Sequence, residues 1–125
     1  MLLQPAETVK IFQKHPSRLV SAGQIIFEQG QPGDYMYGIL EGEIELSIDG
    51  KVVETLKAGD VFGEGALSHP NGYRFTTAIA KTDCKLAQLD QQHFLFVIQE
   101  TPMFALQVIR SYSDRLRELK AHWVE

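Results

Sequence analysis

The chain has 125 residues, 16 acidic against 12 basic side chains, a formal net charge of −4 and 44% hydrophobic content. That is the make-up of one globular domain able to bury a core without a disulfide or metal staple, and too hydrophobic for a disordered segment. No run of about 20 apolar residues is present to cross a membrane, the single cysteine, Cys84, excludes an intrachain disulfide, and the acidic balance excludes the basic footprint of a stand-alone nucleic-acid binder.

The N-terminal stretch MLLQPAETVK has no basic start followed by an apolar run, so a signal peptide is not expected, and with one cysteine the expected location is cytoplasmic. Pro5 to Lys14 predicts a helix, opened by a proline that suits a first turn. All ten glycines then fall between Gly23 and Gly72. Glycine marks tight turns and close backbone approaches, so the middle of the chain is expected to be strand-rich and the two ends helical.

Gln24 to Glu28 and Tyr35 to Leu40 are short runs rich in β-formers, and Glu43 to Ile48 alternates polar and apolar residues at the strand period of two. Asp49-Gly50 follows as a two-residue hairpin signal and leads into Lys51 to Leu56. Val61-Phe62 is strand-like, and Gly65 to Ser68 reads as a brief helical turn. Phe75 to Ala80 and Cys84 to Leu89 are two further strands joined by Lys81-Thr82-Asp83. Many short strands at close spacing predict a sandwich or a jelly-roll barrel.

Gln91 to Glu100 predicts a helix with Phe94, Val97 and Ile98 on one face; Thr101-Pro102 ends it and starts another, with Thr101 as cap. In the last helix Ala105, Ile109, Tyr112, Leu116, Leu119 and Trp123 recur at steps of 4, 3, 4, 3 and 4, the seam of a coiled coil. That seam either packs on the chain's own barrel or pairs with a second copy, and Trp123 near the end favours the second. Arg110, Arg115, Arg117 and Lys120, interspersed with Asp114 and Glu118, read as a solvated face.

The chemistry concentrates in Gly59 to Thr77. Small residues around the turn at Gly65 let an anion approach the backbone, where free amides of a first helical turn attract it. Glu64 adds a fixed acceptor, better suited to a sugar hydroxyl than to a phosphate. Arg74, among Tyr73, Phe75, Thr76 and Ala78-Ile79-Ala80, is a candidate buried guanidinium. Its fork matches phosphate or carboxylate. The residues alone leave open whether it meets a guest, pairs with Glu64 or is solvated.

Phe62-Gly63-Glu64, Ala66-Leu67 and Arg74 resemble the phosphate-binding cassette of the cyclic-nucleotide-binding domain, as found in catabolite-activator-type bacterial regulators, cyclic-nucleotide-dependent kinases and nucleotide-gated channels. Ala22 to Gly30, Pro32-Gly33-Asp34, Tyr37 to Gly42 and Leu56 to Asp60 resemble that family's glycine-punctuated strands. The likeness runs over roughly residues 15 to 120. It implies a mainly β fold, a double-stranded β-helix (jelly-roll) barrel with flanking N- and C-terminal helices, in a single domain over 1–125: the helical lead-in, barrel and following helix through about 15–100, then a C-terminal helix over 102–125. It implies that Glu64 accepts from a ribose 2′-hydroxyl, Arg74 pairs with a cyclic phosphate and the Gly65 and Ala66 amides complete the cradle. The ligand-binding set is then Phe62, Gly63, Glu64, Gly65, Ala66, Arg74, Phe75 and Thr76. The implied function is a cAMP- or cGMP-binding sensor acting through its C-terminal helix, which in the bacterial regulators also forms the dimer seam.

Two positions depart from the pattern. Phe75 stands where a small or hydroxyl residue is usual, with Thr76 as a neighbouring hydroxyl, and Gly65 stands where a bulky aliphatic is usual. Phe75 motivates an alternative, a protein-interaction module of the same fold that binds no ligand because the ring alters the phosphate pocket. His15, His69, His93 and His122 show no ligand spacing and no nucleophile motif appears, so neither a metal site nor an enzyme is expected. Cys84 is expected as a small buried residue. With the sequence stopping at Glu125, no DNA-reading module is expected. The expected partners are a cyclic nucleotide, a second copy through the C-terminal helix and an unidentified protein.

Overall fold

A computed structural model describes residues 4–124. Met1, Leu2 and Leu3, the start of the stretch considered for a signal peptide, and Glu125, the end of the expected last helix, lie outside the described residues. The elements in chain order are α1 (Pro5–Phe12), β1 (Arg18–Val20), β2 (Ile25–Phe27), β3 (Tyr35–Glu41), β4 (Glu43–Ile48), β5 (Lys51–Lys57), β6 (Val61–Phe62), α2 (Gly65–Ser68), β7 (Thr77–Ala80), β8 (Cys84–Asp90), α3 (Gln91–Glu100) and α4 (Met103–Trp123). The eight strands form two antiparallel four-stranded sheets, ordered β1-β8-β3-β6 and β2-β7-β4-β5. This is the jelly-roll barrel with flanking helices that the sequence predicts.

The β4–β5 hairpin turns at Asp49 (φ 51°) and Gly50 (φ 82°), the two positive φ values that a two-residue loop matched to strand twist requires. Period-two alternation then sorts the strands into two cores. Tyr37 and Ile39 on β3, with Cys84 and Leu86 on β8, point into the barrel with Phe27, Ile44, Leu46, Leu56 and Phe62. Met36 on β3 and Ala87 and Leu89 on β8 point outward. There they meet Val9 of α1, Phe94 and Val97 of α3, and Phe104 and Val108 of α4. Cys84 is buried as expected, its sulfur 3.2 Å from both the Glu43 and the Thr82 carbonyl oxygens, which share its one proton.

Four local expectations are corrected. The first helix ends at Phe12 rather than Lys14, with Gln13 extended at ψ 141°; Pro16 just beyond disfavours helical backbone at the residue before it. The strand expected from Phe75 begins at Thr77, because Arg74 is tied instead to the Gly30–Gln31 segment: its amide donates to Gln31 O at 2.8 Å and its carbonyl accepts from Gly30 N at 2.8 Å. At the α3–α4 junction the Thr101 backbone makes the turn, its carbonyl accepting from the Phe104 amide at 2.9 Å. Finally, α4 lies on the barrel through Phe104, Val108 and Arg115, not through the heptad seam. Ile109, Leu116, Leu119 and Trp123 on that seam stay exposed, whereas Tyr112 turns toward the space between α4 and the barrel. Among the described residues no helix is long and apolar enough to cross a membrane.

Candidate functional site

Arg74 is 6% exposed, and its surroundings explain how the barrel tolerates it. Nη1 donates to Gly63 O at 2.7 Å and Nη2 to Tyr35 O at 2.6 Å, so the fork is held by two main-chain carbonyls on β3 and just after β6. The guanidinium carbon sits 4.0 Å over the Phe27 ring, a cation–π contact strengthened by desolvation. Phe27 belongs to an aromatic group in which Phe62 packs 5.2 Å from Tyr37 and 5.9 Å from Phe27. Nε is buried with no hydrogen-bond partner. Burial pushes the Arg74 pKa down, Tyr37, Asp34 and Glu64 oppose the shift, and an arginine in protein remains a cation. Gly33 is required beside it: a Cβ there would collide with Arg74 Nε and Ala66 Cβ.

Glu64 is 5% exposed and neither carboxylate oxygen has a hydrogen-bond partner of good geometry. Burial raises its pKa, opposed by the nearby Tyr112 hydroxyl, its own amide, Arg115 and Arg74. A buried carboxylate with open lone pairs is costly unless something donates to it. The Gly65 and Ala66 amides, in the first turn of α2, have no preceding helical carbonyl to accept from them.

The helix α4 closes the site from the other side. Arg115 donates from Nε and Nη2 to the Glu54 carboxylate at 2.8 and 3.1 Å, and from Nη1 to Val61 O at 2.9 Å. Its guanidinium carbon lies 4.4 Å over the Tyr112 ring. Burial and the Glu64 charge raise the Tyr112 pKa. Arg115, expected on a solvated face, is thus a buried anchor.

A cavity of about 200 Å³ lies between the barrel and α4. Of the sequence-predicted set, Gly63, Gly65, Ala66, Arg74, Phe75 and Thr76 line it. Phe62 and Glu64 are not part of its wall: Phe62 is a core residue, and the glutamate is covered. Phe75 does not plug the cavity; it is 78% exposed at its edge. Nor does Arg74 take Glu64 as a partner or lie in solvent, the two alternatives that the residues alone left open. Sequence reasoning missed Phe27, Leu46, Glu54, Tyr112 and Arg115, which complete the wall. One signal for Arg115 was available: it follows Phe104, Val108 and Ser111 by 11, 7 and 4 residues, a cation in register with a buried helix face.

Known proteins are similar to this chain in sequence and fold. The family model for the Cyclic nucleotide-binding domain matches residues 17–101. A cAMP-dependent protein kinase regulatory subunit from Eremothecium gossypii is 44% identical over 77 residues, 62% of this chain and 17% of that protein, so the chain spans under a fifth of that relative's length. The crystal structure of the Thermus thermophilus Catabolite Activator Protein is 26% identical and superposes with a TM-score of 0.76, covering 98% of this chain and 59% of that one. A solved structure from a cyclic-GMP-dependent signalling pathway that regulates bacterial phytopathogenesis has the same identity and TM-score, covering 94% of this chain and 95% of that one.

Proposed function

The chain belongs to the cyclic nucleotide-binding domain family, and from that premise we propose that it binds cAMP or cGMP beside Arg74 and reports occupancy through α4. The observation that carries this reading is the pair of unmet buried groups, the Glu64 carboxylate and Arg74 Nε. One calls for a hydroxyl donor and the other for an anion, and a ribose fused to a cyclic phosphate brings both on one small ring. The phosphate charge compensates the guanidinium, the Gly65 and Ala66 amides donate to its oxygens, and the ribose 2′-hydroxyl donates to Glu64.

Tyr112 and Arg115 of α4 border the same cavity, and both favour the charged form of Glu64, Tyr112 through its hydroxyl and Arg115 through its charge. A ribose reaching Glu64 therefore competes with the Tyr112 hydroxyl, so the nucleotide binds with differential affinity for two positions of α4. That difference is what lets a ligand shift a population. The exposed seam of α4, with its self-complementary 4-3 spacing, is the surface for a second copy of the chain, and helix movement is thereby read across a dimer.

The test is calorimetric titration of the protein with cAMP and with cGMP up to millimolar ligand. One saturable site per chain is expected, lost in Arg74→Ala with folding checked by circular dichroism. No heat and no thermal shift with either nucleotide overturns the reading.

A further inference from the structure

Phe75 is the most exposed phenylalanine of the chain, at 78%, and an exposed phenyl ring gains no burial from the folded chain alone. Its backbone is held firmly nonetheless. The preceding residue, Arg74, is bonded through both its amide and its carbonyl to Gln31 and Gly30, and Thr77 Oγ1 accepts from the Gln29 amide at 2.9 Å. The ring is thus displayed from a fixed segment, with only two side-chain torsions to freeze on contact. It borders the cavity whose wall includes Arg74, and Tyr112 borders that cavity from α4.

The cavity's size decides what reaches the ring. About 200 Å³ is below the roughly 300 Å³ at which pockets that enclose a drug-sized ligand begin. With the phosphate at Arg74 and the sugar toward Glu64, the base is the part left at the mouth, where Phe75 stands. We infer that Phe75 is the platform on which the base stacks, a contact that favours purines over pyrimidines and does not separate adenine from guanine. This rests on the nucleotide reading above and adds to it the source of base affinity. A phenyl face offers no hydrogen bond, and stacking tolerates any base because every base has a π-face, with strength following ring area.

The experiment titrates the native protein, Phe75→Ala and Phe75→Trp with cAMP, cGMP and cyclic UMP. The native protein is expected to hold both purine nucleotides with similar affinity and cyclic UMP more weakly. Phe75→Ala is expected to weaken cAMP and cGMP about 5- to 150-fold, the range that loss of an aromatic stack under one base produces, and cyclic UMP less, so the purine preference collapses. Phe75→Trp is expected to retain both purines and to show quenching of the new indole on saturation. Unchanged purine binding in Phe75→Ala overturns the platform and leaves the nucleotide reading intact; no binding of any of the three by the native protein overturns both.

Discussion

Arg74 and Glu64 carry opposite charges, sit ten positions apart in one segment and are both buried, yet they form no ion pair. The guanidinium directs its two Nη groups at the carbonyls of Gly63 and Tyr35, and the carboxylate has no hydrogen bond of good geometry, only the nearby Tyr112 hydroxyl and its own amide. Mutual neutralisation would have been the stable arrangement for a purely structural pair. With the two kept apart, the carboxylate oxygens and Arg74 Nε have no hydrogen bond within the chain, the capacity that the proposed nucleotide would use, and a Cβ at position 33 would collide with Nε.

That arrangement makes Glu64→Gln more stable than the native protein at neutral pH. Burial raises the Glu64 pKa above the ordinary value of 4.5, so the folded state holds a proton at a pH where the unfolded chain has released it. Between those two values the folded state binds more protons, and native stability falls as pH rises through that window. Glutamine removes the buried charge, and with it the pH-dependent part of the penalty, while leaving a polar group in place, so the expected gain at pH 8 is about 1 kcal/mol. Thermal melts of both proteins should differ by several degrees at pH 8 and converge below pH 4.5. A variant less stable than native at pH 8 counts against an unmet carboxylate. The same variant is expected to bind cAMP about tenfold or more weakly, because a charge-assisted hydrogen bond to the sugar is lost.

Arg115→Ala tests the attachment of α4 to the barrel. It removes both bonds to Glu54 and the bond to Val61 O, leaving a largely buried carboxylate and a carbonyl without their donor. The expected cost is about 3 kcal/mol in urea unfolding, with faster amide exchange along α4 beyond Val108. Arg115→Lys should recover little, since an ammonium cannot fork onto Glu54 and reach Val61 as well. Native-like exchange in the alanine variant would show that the apolar contacts of Phe104 and Val108 alone hold the helix.

Much of the fold was legible because it is locally encoded. The alternation of Glu43 to Ile48, the Asp49-Gly50 turn, the α3 boundaries and the short helix at Gly65–Ser68 all follow from neighbours in sequence. The three-residue strand β1 was not legible, because it is defined by pairing Arg18 with Leu86 and Val20 with Cys84 across the chain. The site divides in the same way. The cassette from Gly63 to Thr76 could be read from its glycines, its acid and its arginine. Glu54, Tyr112 and Arg115 reach the cavity only once β5 and α4 have docked; the heptad spacing picked out Tyr112 as a seam residue and drew attention away from Arg115. The outward turn of Phe75 was hidden for a third reason: the segment leaves strand alternation to bond with Gly30 and Gln31.

Gly65→Ala is expected to stabilise the protein. A Cβ at Gly65 meets no atom within 4 Å, and the residue does not require positive φ. Alanine then narrows the unfolded ensemble and supports the first turn of α2, a gain of about 0.4–1 kcal/mol. Differential scanning calorimetry should find the transition raised by a few degrees. A lowered transition would mean that α2 needs glycine's freedom at that position, and the departure from a bulky aliphatic residue would then be a conformational requirement and not a loss of packing.

Ile109, Leu116 and Leu119 are 63%, 51% and 41% exposed, and Trp123 is 88% exposed, while the barrel takes Phe104, Val108 and Arg115 from the same helix. Leaving such a stripe in water gains nothing for a lone chain, whereas pairing two copies buries several large side chains from each. Sedimentation at micromolar concentration should report a dimer for the native protein. In Leu116→Glu it should report a monomer, because an unpaired carboxylate at the centre of an apolar seam carries a desolvation penalty that the remaining contacts do not offset. Since Leu116 does not line the cavity beside Arg74, the monomer should still bind the nucleotide. A native protein that sediments as a monomer would remove the dimer from the signalling scheme and leave the nucleotide site as it stands.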